Sequence, residues 1–165
     1  MTSIIAETLT LESFAPFGQV LEQPVDGART HYNKLLENAR SNANVDLSIA
    51  RIPPTEASPI TLRKMERHPW SSQTFIPMQA GRFLIIVAPD DQLGGPDMEA
   101  ARAFIASGNQ AITYRLAVWH HGMTVLDETA TMAVLMWCNG GNGDEEFVDI
   151  ASPIDVLFHT PKVLT

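Results

Sequence analysis

Apolar and polar residues alternate over short stretches along most of the chain, and turn-forming residues separate one stretch from the next. Alternation with a period of two predicts half-buried β-strands. The predicted strands cover residues 4–6, 19–22, 31–36, 47–52, 60–68, 82–88, 110–116, 118–126, 131–138 and 147–150. Residues 82–88 are apolar almost throughout, which predicts a strand covered on both faces. Many short strands at regular spacing favour an all-β barrel or sandwich, formed by residues 1–165 as one domain.

Two segments favour helix instead. Asp97 is a good N-cap residue, an alanine-rich stretch follows it, and Gly108 stands where a helix commonly ends. This pattern predicts one short α-helix near residues 97–107. Thr10 is placed to cap a second, very brief helix through Phe14.

Composition limits the function classes. The hydrophobic fraction of 45% is ample for a core. A net charge of -8 and a pI near 5.0 disfavour nucleic acid and anionic membranes as partners. No apolar run approaches the roughly 18 residues of a membrane span, and the first residues do not resemble a signal peptide. Cys138 is the only cysteine, so no internal disulfide can form, which fits a reducing compartment such as the cytoplasm.

The strand predicted over residues 47–52 carries an arginine on its more apolar side. Arg51 shares a face with Leu47 and Ile49. Two interpretations stay open. Arg51 lies at a sheet edge with its charged end in water, or its guanidinium faces inward toward an anionic ligand.

An acid, an imidazole and an amide lie close together in the sequence: Glu66 and His68 in the strand predicted over residues 60–68, and Gln73 just after it. Glu66 and His68 are two residues apart, so a strand would point both the same way. Pro69 should break the ladder just after them, which allows Gln73 to fold back beside the pair. The apolar pattern of this strand changes sides part-way along, which predicts a β-bulge near Lys64.

These residue types suit general acid–base chemistry. Histidine titrates near neutral pH, and Glu66 and His68 can act as base and acid in either order. The alternative is a surface ion pair at a strand end.

His120 and His121 are adjacent in a predicted strand, so at most one of them faces the same interior as Glu66 and His68. The competing interpretation is that His120 is a core histidine with its hydrogen bonds satisfied.

Two motifs carry a resemblance to a known family. Residues 66–78 read Glu-Arg-His-Pro-Trp-Ser-Ser-Gln-Thr-Phe-Ile-Pro-Met. Residues 102–114 read Arg-Ala-Phe-Ile-Ala-Ser-Gly-Asn-Gln-Ala-Ile-Thr-Tyr, and residues 118–121 read Val-Trp-His-His. From about Asn33 to its end, the chain resembles the ureidoglycolate lyases. The family is similar to cupins, which are small all-β barrels, and it also implies a duplicated, bicupin-type barrel.

The resemblance implies an enzyme that cleaves (S)-ureidoglycolate to glyoxylate and urea during allantoin degradation. Older names for the family describe a hydrolase, so the products need to be measured. Two alternatives belong to other classes. One is a metal-dependent cupin hydrolase or oxygenase that acts on another small carboxylic acid, and the other is a non-catalytic cupin that binds a carboxylate.

The resemblance also implies which residues carry the site. Glu66 and His68 occupy the place of the first His-x-His pair of a metal-binding cupin, Gln73 the place of its acid, and His120 the place of its last histidine. These four are the predicted catalytic residues. No cofactor is required, although Glu66, His68 and His120 could hold a divalent ion such as nickel weakly.

A substrate carboxylate needs a cationic or hydrogen-bonding partner. Arg51 is the main candidate because a guanidinium binds a carboxylate through two hydrogen bonds. Ser48, Lys34 and Arg115 are the further predicted substrate-binding residues. Cupin-like barrels commonly pair through exposed strands, so the resemblance implies a homodimer.

Overall fold

The computed structural model describes residues 3–159, and over this range nearly all of the regular secondary structure is β-strand. The elements are β1 (Ser3–Ile5), β2 (Glu7–Thr8), α1 (Leu11–Phe14), β3 (Gly18–Glu22), β4 (Asn44–Ile52), β5 (Ile60–Arg67), β6 (Gln73–Gln79), β7 (Phe83–Ala88), β8 (Arg102–Ala106), β9 (Gln110–Tyr114), β10 (Trp119–His120), β11 (Thr124–Val125), β12 (Ala130–Cys138) and β13 (Glu146–Leu157). This confirms the predicted all-β class. None of the described helical residues forms a segment long and apolar enough to cross a membrane.

The strands form two sheets that share one core. The larger sheet runs β1-β13-β5-β10-β7-β8-β2, with β11 also paired to β7, and the smaller runs β3-β9-β6-β12-β4. Most neighbours are antiparallel, but β1 runs parallel to β13 and β2 parallel to β8. Side chains from both sheets meet in the main core, which is rich in aromatic rings. Its large members include Phe14, Phe75, Phe83, Phe104, Tyr114 and Met132.

The larger sheet is covered on its other face as well. A second apolar cluster lies there and includes Ile60, Leu62, Met65, Leu84, Ile86 and Trp119. Alternate residues of β7 contribute to the main core and to this second cluster. Burial on both sides explains why β7 is apolar throughout, as the sequence predicts.

The register of β5 is irregular where the sequence predicts a bulge. The partners of Leu62 and Lys64 in β13 are separated by several extra residues. The break brings Met65 onto the same face as Leu62, in the second cluster, although regular alternation would place them on opposite faces. The residue that follows, Glu66, is thereby turned toward the space between the two sheets.

The α-helix predicted over residues 97–107 is wrong. The Asp97 carboxylate does accept the backbone N–H groups of Glu99 and Ala100, as an N-cap would, but the chain then enters β8. There it pairs with β7 and β2, and Phe104 is fully buried. Helix propensities of ordinary residues differ by at most about 0.7 kcal/mol. Burying a phenylalanine contributes roughly 1.5–3 kcal/mol, so strand pairing prevails.

Smaller features show the same mixture of outcomes. Thr10 caps α1 as predicted, through reciprocal hydrogen bonds with Ser13. Residues 31–36 form no strand. The sequence prediction contains no strand at β6; in the structure, a register shift next to Pro77 accommodates the proline within this paired strand. The duplicated barrel stays a prediction.

An ion pair beside the turn at Gly81 gives a test of the fold. The Arg82 guanidinium holds the Asp127 carboxylate in two-point contact, at 2.7 and 3.0 Å, and the Arg82 N–H donates to the same group. The side-chain hydrogen bonds from Arg82 lower the pKa of Asp127. The pair therefore stabilises the fold fully above about pH 4, the unfolded pKa, and loses its effect as the pH falls through the lower folded pKa.

We expect Asp127→Asn to lower the free energy of unfolding by about 1 kcal/mol at pH 7, because the pair is partly exposed. The difference from wild type should shrink as the pH falls below about 4. Urea denaturation at pH 7 and again below pH 4 measures this difference in the free energy of unfolding. Asp26→Asn, in an exposed turn, is the control. An equal loss at every pH would show that the charge is not the cause.

Candidate active site

The site is built on the pairing of three strands in the larger sheet. His120 of β10 lies directly opposite Glu66 of β5 on one side and Val87 of β7 on the other. Residues that lie opposite one another in a sheet share a face, and Val87 belongs to the main core. Glu66 and His120 therefore point into the interior between the two sheets.

His68 joins them from the end of β5. One possible ligand atom from each of Glu66, His68 and His120 lies within 4.8 Å of the others, and we call these three residues the triad. The rings of His68 and His120 are 5.4 Å apart between centroids. The two histidines are only 3% and 2% exposed and the Glu66 side chain is 24% exposed, so the triad is largely enclosed rather than a surface ion pair. Within residues 3–159 no other cluster of such ligand side chains was found.

Backbone carbonyl groups fix both imidazole rings. Nδ1 of His68 lies 3.2 Å from the Asp144 carbonyl oxygen, and Nδ1 of His120 lies 2.9 Å from the Val118 carbonyl oxygen. A carbonyl oxygen can only accept, so each Nδ1 carries the proton that it donates. In the neutral rings, both Nε2 atoms are left with a lone pair.

The triad is thus a set of facing acceptors. The Nε2 atoms of His68 and His120 are buried without a hydrogen-bond partner, and 3.4 Å separates Nε2 of His120 from Oε1 of Glu66. A contact of that length is a weak ionic one and not a well-formed hydrogen bond. Two acceptors face each other favourably only around a shared proton or a cation. Two imidazoles and one carboxylate, as a set of ligands, therefore fit a divalent metal ion.

Charges within the triad set the protonation of its members. Burial by itself would raise the pKa of Glu66, but the close polar contact with His120 and the positive charge that His120, and to a smaller degree His68 and His121, can carry bring it below its usual value. Burial lowers the pKa of His68, and the nearby charge of His120 lowers it further. Glu66 is therefore ionised at neutral pH, and His68 is neutral.

Gln73 lies next to the triad through a neighbouring strand pair. Gln73 of β6 is opposite Tyr114 of β9, and the Tyr114 ring stacks on His120 at 4.3 Å between centroids. The amide nitrogen of Gln73 reaches only the sulfur of Met136, at 3.8 Å, and its Oε1 is buried without a partner. Oε1 of Gln73 is thus a third buried acceptor without a partner, beside Nε2 of His68 and Nε2 of His120.

The four predicted substrate-binding residues lie elsewhere. Arg51 is on the exposed outer face of β4, because the apolar side of this edge strand faces outward. Ser48 is exposed on the opposite side of that strand, and Lys34 is exposed in a turn. Arg115 is exposed and donates to the Ala15 carbonyl. Among the hydrogen bonds and ion pairs of the described residues, none joins these four to the triad.

Sequence reasoning missed several contributors to the site. Tyr114 ends the motif of residues 102–114, and its aromatic ring at a strand end was the available signal. The carbonyl groups of Val118 and Asp144 carry no side-chain signature, so only the folded backbone places them beside the histidines.

The geometry predicts a cation site that depends on the triad. We expect the protein to bind Ni²⁺, and His68→Ala or His120→Ala to weaken the affinity by about 10-fold or more, because each removes one ligand. Isothermal titration calorimetry measures this, and His31→Ala, in the exposed segment before β4, is the matched control. Equal binding by wild type and both triad variants would contradict a metal site here.

Comparison with known proteins places the chain in a family. The sequence profile described as Ureidoglycolate lyase matches residues 1–156. The ureidoglycolate lyase of Chelativorans sp. is 38% identical in an alignment that covers 89% of this chain and 92% of that protein. The ureidoglycolate lyase of Pseudomonas savastanoi pv. phaseolicola is 34% identical in an alignment that covers 98% of each.

Solved structures give more distant matches. ChmJ, a 3'-monoepimerase from Streptomyces bikiniensis, matches 93% of this chain and 82% of its own, with a TM-score of 0.47 and 15% identity. A dTDP sugar isomerase from Desulfovibrio desulfuricans matches 80% and 82%, with a TM-score of 0.43 and 13% identity. The assignment rests on the sequence matches, which span nearly the whole chain: this protein belongs to the ureidoglycolate lyase family.

Proposed function

We propose that the triad catalyses the cleavage of (S)-ureidoglycolate to glyoxylate and urea. The observation that carries this proposal is the convergence of partly buried Glu66 with buried His68 and His120 in a chain of the ureidoglycolate lyase family. Residues far apart in sequence supply an ionised carboxylate and two oriented imidazoles at one point. Such groups are those that a carbon–nitrogen lyase reaction of this kind requires.

The reaction moves two protons and breaks one bond. A base takes the proton of the substrate hydroxyl group, and the carbonyl group of glyoxylate forms. The carbon–nitrogen bond breaks, and its electron pair goes to the urea nitrogen. That nitrogen takes up a proton from an acid, so no water is consumed and the products are glyoxylate and urea.

The environment of each residue suggests its role. Nε2 of His68 has a free lone pair, and its lowered pKa keeps it neutral, so His68 is the base for the hydroxyl proton. Glu66 and His120 face each other at 3.4 Å and can hold one proton between them, which the departing nitrogen takes up. The proton gained by His68 then returns to this pair within the same cluster.

The unsatisfied atoms of the site complement this substrate. Ureidoglycolate presents a hydroxyl group and several N–H groups, all of which donate hydrogen bonds. Two buried atoms without partners at the site, Nε2 of His68 and Oε1 of Gln73, accept hydrogen bonds. A donor-rich substrate would satisfy them, and Gln73 would hold the ureido group.

Metal-assisted chemistry is the second mode that the donor set supports. Glu66, His68 and His120 would be the ligands, and a bound divalent ion would polarise a substrate oxygen. Loss of activity with a chelator, restored by added metal, distinguishes this mode from acid–base catalysis alone.

The direct test is an assay of purified protein with (S)-ureidoglycolate. We expect equal amounts of glyoxylate and urea. Glu66→Gln and His68→Ala should each lower kcat by about 10²- to 10⁴-fold, the usual effect of losing a general acid or base. His31→Ala is the control and should retain wild-type kcat.

The products decide between this function and its alternatives. Release of ammonia in place of urea would identify a hydrolase. Carboxylate binding without turnover would identify a non-catalytic cupin. Full activity in both triad variants would refute the proposed site while leaving the family unchanged.

We further propose a homodimer formed through β4. All nine residues of β4 pair with β12, so its other edge is free within the described part of the chain. Val45, Leu47 and Ile49 form a row on its outer face with 60%, 66% and 60% of their surfaces exposed. A second copy related by a two-fold axis could pair antiparallel along the free edge and cover this row.

Leu47→Glu is expected to convert the dimer into a monomer, because it places a carboxylate from each copy in the interface. The dissociation constant should rise by about 100-fold or more. Light scattering after size-exclusion chromatography measures the mass. Leu93→Glu, at a position 95% exposed in a loop, is the control. A wild-type monomer, or a dimer that persists in Leu47→Glu, would contradict the proposal.

Further assignments stay predictions. These are the roles of Arg51, Ser48, Lys34 and Arg115 in carboxylate binding, the place of the reaction in allantoin degradation, and the cytoplasmic location. The single cysteine and the acidic charge support the location and the expectation that the partners include neither nucleic acid nor membrane.

A further inference from the structure

A nearly buried ion pair lies behind the triad and has no part in the proposed reaction. The side chains of Arg40 and Asp144 are 13% and 11% exposed, and an Arg40 guanidinium nitrogen contacts the Asp144 carboxylate. The same nitrogen lies 3.4 Å from the carbonyl oxygen of Trp137, near the end of β12. Arg40 thus connects the irregular segment before β4 with the turn between β12 and β13.

The Asp144 carboxylate also closes its own turn. It accepts the backbone N–H of Gly140 at 2.9 Å and that of Asn139 at 3.2 Å. Gly140 has a φ of +76°, a conformation that favours glycine, so the turn has a defined shape. Because the side chain of Asp144 is fixed at both the turn and Arg40, the backbone of Asp144 is fixed too.

The carbonyl group of Asp144 is the part that reaches the site. It accepts the Nδ1 proton of His68, at 3.2 Å, and this contact leaves Nε2 unprotonated toward Glu66 and His120. The tautomer and the orientation of His68 therefore depend on one backbone oxygen. The position of that oxygen depends in turn on the carboxylate of the same residue.

The segment that carries Arg40 is itself anchored near His68. The backbone N–H of Ser72 donates to the Glu37 carbonyl oxygen at 3.0 Å, and the backbone N–H of Glu37 donates to the Ser72 hydroxyl oxygen at 2.9 Å. The backbone N–H of Trp137 donates to the Ser71 hydroxyl at 2.8 Å. Arg40, the end of β12 and the residues after His68 are thus held as one unit.

We propose that Arg40 is a positioning residue for His68: by holding the Asp144 carboxylate in its turn, it aims the Asp144 carbonyl at Nδ1 of the imidazole. The consequence for turnover rests on the proposed lyase function, but the effect on the imidazole does not. Arg40 touches neither the triad nor the place where substrate would react.

Loss of the guanidinium would leave the Asp144 carboxylate nearly buried with no cation beside it. A charge in that position is unfavourable, so the turn would rearrange to bring the carboxylate into water. His68 would then lose its acceptor, and the ring could carry its proton on Nε2 instead. An imidazole with Nε2 protonated cannot take up the hydroxyl proton at that atom.

The test compares Arg40→Met with wild type by two independent measurements. Long-range ¹H–¹⁵N correlation spectra at about pH 8, where an unperturbed histidine is neutral, report which ring nitrogen of His68 is protonated. His68→Gln assigns the signal. Wild type should show a protonated Nδ1, and Arg40→Met should show a mixture of tautomers or a protonated Nε2.

Steady-state kinetics with (S)-ureidoglycolate supply the second measurement. Arg40→Met should lower kcat by about 10- to 100-fold, as the loss of an outer partner of a functional histidine commonly does, with little change in KM. Arg40→Lys keeps the charge and should recover part of kcat. Arg82→Met removes another arginine–aspartate pair, far from the triad in the fold, and should leave kcat and the His68 signal unchanged.

The outcomes separate this inference from the proposed function. A changed His68 tautomer in Arg40→Met supports positioning, even if the wild-type protein proves to have no lyase activity. An unchanged tautomer with unchanged kcat overturns it. If Arg40→Met does not fold, Asp144→Ala replaces it, because alanine removes both the acceptor of the turn and the partner of Arg40. A wild-type tautomer and kcat in Asp144→Ala would overturn the inference equally.

Discussion

The pairing of Glu66, His120 and Val87 across three adjacent strands is the constraint on which the site depends. It places a carboxylate and an imidazole among apolar side chains, where neither would lie without a specific partner. The register break in β5 is what allows this. Without it, regular alternation from Leu62 would turn Met65 toward the main core and Glu66 toward the second apolar cluster. One irregular step in the ladder therefore serves both packing and chemistry.

The arrangement carries a cost in stability. A buried polar atom without a hydrogen-bond partner costs about 1–3 kcal/mol. Among residues 3–159 the side-chain atoms in this state are Nε2 of His68, Nε2 of His120, Oε1 of Gln73 and Nε of Arg40. They are concentrated in the triad and its immediate support, not scattered through the core. Apolar burial on both faces of the larger sheet offsets this cost, so the fold tolerates these unpartnered atoms.

The sequence predicts the parts of this protein in which one physical signal dominates. The two-sided burial of β7 follows from its apolar run, and the bulge follows from the change of sides before Met65. The spacing of Glu66 and His68 predicts that they share a face, but the approach of His120 is in the sequence only through the family resemblance, since no local pattern links β10 with β5. The helix prediction at residues 97–107 was wrong because burial and strand pairing override the helix propensity of alanine. Only the pairing with β7 decides between them.

Strand parity gave an incomplete answer at β4 for a related reason. Parity shows that Leu47, Ile49 and Arg51 share a face, but not whether that face points inward, because an edge strand can expose apolar residues. The outward position of Arg51 also determines which groups supply positive charge near Glu66. With Arg51 outside, the positive charge felt by Glu66 comes from His120, His68 and His121.

Imidazoles differ from a guanidinium in that their charge is conditional. Burial and mutual repulsion oppose placing a proton on each of several neighbouring rings, and these effects lower the pKa of both His68 and His121. The chain is acidic, with a net charge of -8. The groups near the Glu66 carboxylate are imidazoles, and each supplies positive charge only while its ring holds a second proton. The orientation of each ring consequently matters more here than it would for a permanent cation, because orientation determines where that proton can go.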